Sequence, residues 1–545
     1  MRNLWSVDET RGMDDLDQLV YLSHLIGADP SLVVWGGGNT SIKVTEKDFL
    51  GRDLPVMRIK GSGSDMKSME RRQFPRLRLE EVLPVFERDA MTDEEMVEYL
   101  DRCVVDPNSP RPSIETLLHA FLPFMCVAHS HADSVVSLTN NSQADDILKR
   151  VYGDEVAIVE YIRPGFQLSK LVGLAVQAAP TIKGVVLVNH GLFTWGADPK
   201  EAYDQHIDLV NKAEEFAASG SGVVFGGWDR NPLEPAERQR VAGAVAPTLR
   251  GMVSQRQRAV LRFDDSPDVL EFLGSAEGRR LSGIGPATPD HLIHTKRKPL
   301  WVDVADPSDV AAVNAALRRG AEAYSEEYAQ WYREQTSGED SMLDPYPRVV
   351  LLPGVGMWTT GRDARATLIT NDIYHHTINV MRSAQSVSDY TSLTPKDAYD
   401  AEYWPLELYK LTLAPPEKEL ARQIALVTGA ASGIGRVIAH RLAAEGAHVV
   451  VTDIDAEGVD TVATEINQTA GPERAAAFPM NVADANQVAT AFQSLRRTYG
   501  GLDILVSNAG ITPVGAIDSL SLGDWQRSLD INTTGHFLVS AEAVR

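Results

Sequence analysis

The sequence predicts an α/β protein in three parts, on three observations. Residues 423–545 alternate apolar strand-length runs with helical stretches, the rhythm of a doubly wound parallel sheet. Residues 1–225 mix short strands with amphipathic helices around glycine-rich turns, and residues 226–415 form a long extension punctuated by Pro and Asp. A length of 545 residues corresponds to about three or four domain-sized units.

Taken in order, residues 16–26 have the apolar spacing of a helix. Val33-Val34-Trp35 runs into Gly36-Gly37-Gly38-Asn39, a turn that brings backbone close to a partner, and residues 57–60 form a short strand before Gly61-Ser62-Gly63-Ser64. A helix is expected over 114–124 and a strand over 125–130. A buried strand over 185–189 then ends at His190-Gly191, before a helix over 200–218. The extension carries a long polar helix over 308–334 and a strand over 348–352, and no chemistry is assigned to it. Residues 413–422 are Pro-rich and charged, a linker whose last part, 416–422, leads into the third unit. There strands are expected at 424–428, 448–452, 477–478 and 504–507, each followed by a helix. No internal repeat is evident.

Composition excludes several classes. A formal net charge of -23 repels polyanions, so neither nucleic acid nor an anionic membrane surface is an expected partner. Two cysteines, Cys103 and Cys126, make neither a disulfide framework nor a thiolate zinc cluster, so any metal relies on His and carboxylate. The N-terminus lacks the apolar core of a signal peptide and no run reaches the length of a membrane helix, so a cytoplasmic location is expected.

His129-Ser130-His131 lies in the expected strand 125–130 and its end, where a period of two points both imidazoles to one face. His190 stands at the end of another strand. Three neutral imidazoles leave a fourth position on zinc open, as catalytic sites do. Alone, His-x-His fits two ordinary strand histidines equally well. Glu115 shifts the weight, because a carboxylate on an otherwise apolar helix is costly unless paired or working. His119, one turn on, reads as packing or support. The Gly36–Ser41 and Gly61–Ser64 turns can present N–H groups and hydroxyls to an anion, with Lys60 adding a cation. His291 and His294 read as parts of a structured loop, and His375-His376, which would point apart on a strand, as structural.

These stretches, in this order, resemble the class II aldolase/adducin family over residues 1–225. The wider layout, with Trp35–Ser41, Ile59–Asp65, Arg111–Leu122, Tyr161–Gly165 and the stretch 285–296, is similar to bacterial bifunctional rhamnulose-1-phosphate aldolase/dehydrogenase proteins. The resemblance implies an α/β/α aldolase domain and Zn2+ held by His129, His131 and His190. It makes Glu115 the acid/base at the substrate carbon and Tyr161 the handler of the aldehyde-side proton. Asn39, Ser62, Gly63 and Ser113 would bind the phosphate of a small sugar substrate. It also implies a homo-oligomer, plausibly a tetramer, and the cleavage of L-rhamnulose 1-phosphate to dihydroxyacetone phosphate and L-lactaldehyde. Fuculose 1-phosphate and phosphopentose epimerisation stay open on residue chemistry alone.

Thr428-Gly429 and Ser432-Gly433-Ile434-Gly435 follow a strand and open a helix, the turn that lets a pyrophosphate approach a helix N-terminus. Asp453 ends the next strand, where a carboxylate accepts from a ribose 2′-OH and repels a 2′-phosphate, favouring NAD over NADP. With Asn481, Val482, Asn508, Ala509, Gly510 and Asn532, this half resembles the short-chain dehydrogenases. Asn481 departs from the usual Asp, and the family's Ser and Tyr-x-x-x-Lys fall beyond Arg545. The expectation is a partial, doubly wound NAD-binding domain with negligible dehydrogenase activity and an uncovered fourth strand. Two other readings stay open: an NAD-dependent oxidoreductase acting on lactaldehyde, and a non-enzymatic adducin-like interaction module.

Overall fold

The computed structural model of the chain describes residues 1–545 except Glu339, in the extension, and Ala414, in the expected linker, which lie outside the described residues. The first unit holds seven strands: β1 (Asn39–Lys47), β2 (Asp53–Ile59), β3 (Arg76–Arg78), β4 (Cys126–Ser130), β5 (Val156–Val159), β6 (Gly184–Leu187) and β7 (Gly191–Gly196). They lie in the order β3-β2-β1-β4-β7-β6-β5, antiparallel throughout except for β5 beside β6. Period two sorts β4 between two cores. Cys126 and Ala128 join Leu19, Leu22, Ile26 and Tyr203 beneath helices Asp15–Ala28 and Pro199–Ala218. Val127 packs with Leu118, Val172 and Phe193 on the opposite face. Asn39 sits directly across from His129, so the start of β1 and the end of β4 meet at one end of the sheet.

The middle unit has β8 (Val260–Asp264), β9 (Leu300–Trp301), β10 (Val349–Leu352) and β11 (Gly356–Gly361), in the order β8-β11-β10-β9. This is the plan of β4-β7-β6-β5 over again, down to the one parallel pair, β9 with β10. Gly191 opens β7 and Gly356 opens β11. Thr194 Oγ donates to Ala202 O and Thr359 Oγ to Thr367 O. Asp198 and Asp363 cap the helices that follow, Pro199–Ala218 and Ala364–Val387. The expectation of no internal repeat is therefore wrong. The repeat resides in backbone plan and caps, while few side chains between them coincide.

The third unit has β12 (Ile424–Thr428), β13 (His448–Thr452), β14 (Ala475–Ala477) and β15 (Ile504–Val506), all parallel and ordered β14-β13-β12-β15, as expected of a doubly wound sheet. It docks on the middle unit through the N-terminal ends of its strands. Arg250 pairs with Asp503 at 2.6 Å, His448 Nε2 accepts from Ala364 N at 3.0 Å, and Val260 and Ala364 enter the core of Ile424 and Leu426. Before it, helices Pro395–Glu402 and Pro405–Thr412 return to the first unit, where Trp404 and Leu406 pack with Leu117, Phe121 and Phe166. Among the described residues no helix is long and apolar enough to cross a membrane.

Local boundaries differ from expectation for physical reasons. The helix near 114–124 is Thr116–Phe121, with Glu115 at its N-cap rather than on its face. The strand before His190 ends at Leu187. Asn189 then takes φ 55°, which places His190 in the turn to β7. His375 and His376 lie in helix Ala364–Val387, not on a strand, and His291 and His294 lie in two short helical turns, Pro289–His291 and Leu292–Thr295.

Candidate active site

The end of one strand and the turn between two others converge on one point of the first sheet. β4 ends at Ser130, so His131 lies one residue beyond it while His129 stays within. The β6–β7 turn delivers His190. The three imidazole centroids are 4.9, 5.0 and 5.1 Å apart, and one nitrogen of each lies within 4.8 Å of the others. Gly191 makes the approach possible, because a Cβ there would stand 2.3 Å from Ser130 O and 3.1 Å from both His129 and His131 rings. His129 Nδ1 bonds Leu192 O at 3.0 Å, which turns Nε2 towards the centre. Burial holds the His129 pKa well below the usual imidazole range and that of His190 at about 3, so both present the neutral form a metal requires. Burial also opposes charge on His131, but Asp290, 3.4 Å from its Nδ1, shifts it upward.

Glu115 completes the arrangement. Its carboxylate oxygens stand 3.4 Å from His190 Nε2 and 3.6 Å from His129 Nε2, and Oε1 is buried with no hydrogen-bond partner. Its pKa is raised, chiefly by burial, against the pull of His131, Asn39 and Lys410. Asn39 Nδ2 donates to Glu115 Oε2 at 2.6 Å and to Ser113 Oγ at 3.2 Å, while Asn39 Oδ1 takes His119 Nε2, whose Nδ1 bonds Ser41 Oγ at 2.7 Å. His119 therefore orients Asn39, and Asn39 orients the carboxylate. The orphaned Glu115 oxygen, the unpartnered Nδ1 of His190 and the convergent neutral rings fit a divalent cation held by imidazole.

A cleft opens around them. Asn39, Ser62, Gly63, Ser113, Glu115, His131, His190 and Lys60 line it, as the sequence anticipates. Burial, then the charge of Lys410, brings the Lys60 pKa down to about 8. Tyr161 is a departure. It does not line the cleft, and its hydroxyl is buried without a partner, with burial pushing its pKa upward. What sequence reading missed comes from the extension: Pro289, Asp290, Ala401, Trp404, Glu407 and Lys410 form the opposite wall, with Arg163 at the rim. Burial opposes charge on Lys410, but Glu407 and Asp290 hold its pKa above the usual ammonium value. The one signal in the sequence is the stretch 285–296, where Asp290 stands beside His291 in the helical turn Pro289–His291.

The predicted dinucleotide residues gather at the C-terminal ends of β12, β13 and β15, opposite the docking surface. Gly429 takes φ 65° and Gly433 φ 55°. A Cβ on Gly435 would fall 2.2 Å from Gly429 O and 2.5 Å from Asn508 Nδ2, so only glycine permits the turn. Asn508 Nδ2 donates to Thr428 O and Gly429 O, and Thr428 Oγ accepts from the backbone N of Asn508 and Ala509. Ser432 precedes helix Gly433–Ala444, and Ile434 is exposed on its first turn. Asp453 accepts from Ala431 N at 3.2 Å. Val482 packs against Gly535, Asn481 accepts from Ala483 N, and Asn532 bonds both backbone groups of Ile511 beside Gly510. The bare helix N-terminus over a glycine cradle fits a pyrophosphate.

Models of known families match in three blocks: the class II aldolase and adducin N-terminal domain over residues 17–216, the second domain of class II aldolases over 240–411, and the short chain dehydrogenases over 423–545. The chain belongs to the family that joins class II aldolase domains to a short-chain dehydrogenase domain. It is 41% identical over 549 residues to the "Uncharacterized oxidoreductase YuxG" of Bacillus subtilis (strain 168), covering 100% of this chain and 80% of that protein. Its last part is 41% identical over 117 residues to the D-threitol dehydrogenase of Mycolicibacterium smegmatis, across 22% of this chain and 44% of that enzyme. The chain thus spans about half the length of such dehydrogenases. Among solved structures, the N-terminal class II aldolase domain of a conserved protein from Thermoplasma acidophilum is 47% identical, with 40% of this chain and 99% of that one covered, at a TM-score of 0.37.

Proposed function

We propose that the first and middle units form a zinc-dependent aldolase that cleaves a ketose 1-phosphate, L-rhamnulose 1-phosphate foremost, into dihydroxyacetone phosphate and L-lactaldehyde. One observation carries the reading: three buried imidazoles meet beside a buried carboxylate that has a free oxygen. Zinc held by His129, His131 and His190 would supply Lewis-acid stabilisation of the negative charge that develops as the C–C bond breaks. Glu115 returns a proton to the carbon that inherits the bond's electron pair, and its raised pKa suits a group that must both hold and release one. Ser62, Gly63 and Ser113, with Lys60, hold the phosphate and so fix the ketose in register with Glu115, while Asn39, whose two amide protons are engaged by Glu115 and Ser113, positions the carboxylate instead. The test is a cleavage assay on a panel of ketose 1-phosphates with and without a chelator. Chelator-sensitive release of dihydroxyacetone phosphate supports the reading, and undiminished cleavage by a metal-free protein sinks it.

We further propose that residues 423–545 bind NAD in preference to NADP, through the glycine cradle and Asp453. The second reading, an NAD-dependent oxidoreductase acting on lactaldehyde, is favoured by the Bacillus relative's being named an oxidoreductase. Titration with NAD and NADP, followed by lactaldehyde-dependent absorbance at the reduced-nicotinamide band, separates the two.

A further inference from the structure

The helix Pro405–Thr412 is anchored to the first unit at four points. Trp404 donates to Asp93 Oδ2 at 2.6 Å, Leu406 is buried in the first unit's core, and the Arg111 guanidinium lies 4.6 Å over the Tyr409 ring. Leu413 closes on the Gly63 turn, its Cδ1 standing 2.8 Å from where a Cβ on Gly63 would be. So fixed, the helix presents Glu407 and Lys410 to the cleft, three residues apart and on one face. Glu407 is 4% exposed. One of its oxygens accepts from Lys410 Nζ at 2.8 Å, and the other is buried with no hydrogen-bond partner among the described residues. A buried carboxylate oxygen left unpaired is costly, and in a cleft the natural remedy is a donor supplied by the ligand. A phosphate at neutral pH is mostly the dianion and a poor donor to a carboxylate. A sugar hydroxyl can donate to Glu407 and accept from the remaining N–H groups of Lys410.

We propose that Glu407 and Lys410 form a clamp that reads a hydroxyl of the non-phosphorylated half of the ketose, making this helix the specificity-determining wall of the cleft. The choice of a polyol ligand rests on the aldolase reading above. Lys60, Ser62 and Gly63 line the same cleft and serve the phosphate in that reading, which leaves the hydroxyls of the ketose to supply the donor that Glu407 lacks. A site built to bond a hydroxyl rejects the analogue lacking it, because its own buried groups are then left unpaired.

The experiment compares a ketose 1-phosphate with its deoxy analogues, each lacking one hydroxyl of the aldehyde half, on the zinc-loaded full chain. Both kcat/KM and calorimetric affinity are read for wild type, for Glu407→Leu, and for the double variant Glu407→Leu with Lys410→Leu, which leaves no lone buried charge. For one hydroxyl position the wild-type preference for the hydroxylated ligand is expected to fall by about 10- to 100-fold in both variants, the worth of a hydrogen bond to a charged group. A merely structural role would weaken all ligands together and leave that preference intact, and this outcome overturns the clamp. Lack of cleavage with the preference still present in binding, and lost in the variants, would sink the aldolase reading while upholding the clamp.

Discussion

β7 and β11 each run from a glycine through a threonine that bonds the carbonyl eight residues on, into a helix capped by aspartate. Yet one strand pair bounds a trio of convergent imidazoles and, among the described residues, the other bounds none. The registers align the two halves residue by residue. Cys126 opposes Gly196 as Val260 opposes Gly361, so Phe263 takes the place of His129 and Asp265 that of His131. The β10–β11 turn puts Val355 where the β6–β7 turn puts His190. Phe263 packs on Trp358 as His129 stacks on Phe193, and Asp265 is spent on Arg238 and Gln239. The frame persists because caps and strand pairing maintain it, whereas the chemistry resides in three side chains at one end of the sheet. In exchange for that trio the middle unit supplies a wall of its neighbour's cleft.

The largest expected effect follows from that exchange. Replacing His129, His131 and His190 by the residues of the middle unit, Phe, Asp and Val, is expected to abolish zinc binding and cleavage while leaving far-ultraviolet circular dichroism and cooperative unfolding in place. His131→Ala alone should also abolish activity. Zinc retained at one ion per chain in the triple variant, measured by atomic absorption after gel filtration, would break the comparison.

Glu115→Gln comes next. Its carbonyl oxygen can still accept from Asn39 and its volume is kept, but it cannot carry the proton. We expect kcat to fall by roughly 10²- to 10⁴-fold with zinc content retained. Loss of zinc alongside kcat would instead make Glu115 a ligand.

Asp290 tests whether the middle unit contributes to the metal or only encloses it. It faces His131 Nδ1 and is itself held by Thr288 Oγ at 2.7 Å. A carboxylate behind a ligating imidazole fixes ring orientation and raises basicity, so Asp290→Asn is expected to weaken zinc affinity by about 10- to 100-fold. Competition against a fluorescent chelator measures it, and an unchanged affinity would reduce Asp290 to lining.

How far the sequence disclosed this arrangement depended on distance along the chain. The parallel sheet, the glycine turn before Gly435, the three imidazoles and Glu115 were legible, because strand periodicity and short motifs encode them locally. The opposite wall was not. Asp290 and Lys410 look like ordinary surface charges until helix Pro405–Thr412 folds back on Trp404, and no local pattern announces a contact that spans hundreds of residues. Tyr161 failed in the other direction: its motif neighbours are in place, but the chain carries its hydroxyl into a buried spot beside the cleft. The repeat escaped notice because caps and turns recur while the residues between them diverged.

The smallest expected effect is a pH dependence that sets Lys60, on the first unit's wall, against Lys410, on the other. Burial and the nearby Lys410 charge bring the Lys60 pKa down to about 8, while Glu115, Asp65 and Asp290 pull it the other way. Lys410, beside Glu407, stays charged well above that. Below about 8 Lys60 is an ammonium and attracts the phosphate; above it the charge is lost, so affinity for an anionic substrate falls as pH rises. The alkaline limb of kcat/KM, which reports the free enzyme, is therefore expected near pH 8, several-fold in size and carried mainly by KM. Lys60→Met should flatten that limb and Lys60→Arg should displace it upward, since a guanidinium does not titrate in this range. A limb that persists unaltered in Lys60→Met would remove Lys60 from the phosphate end and leave that task to the hydroxyls and backbone of the Gly61–Ser64 turn.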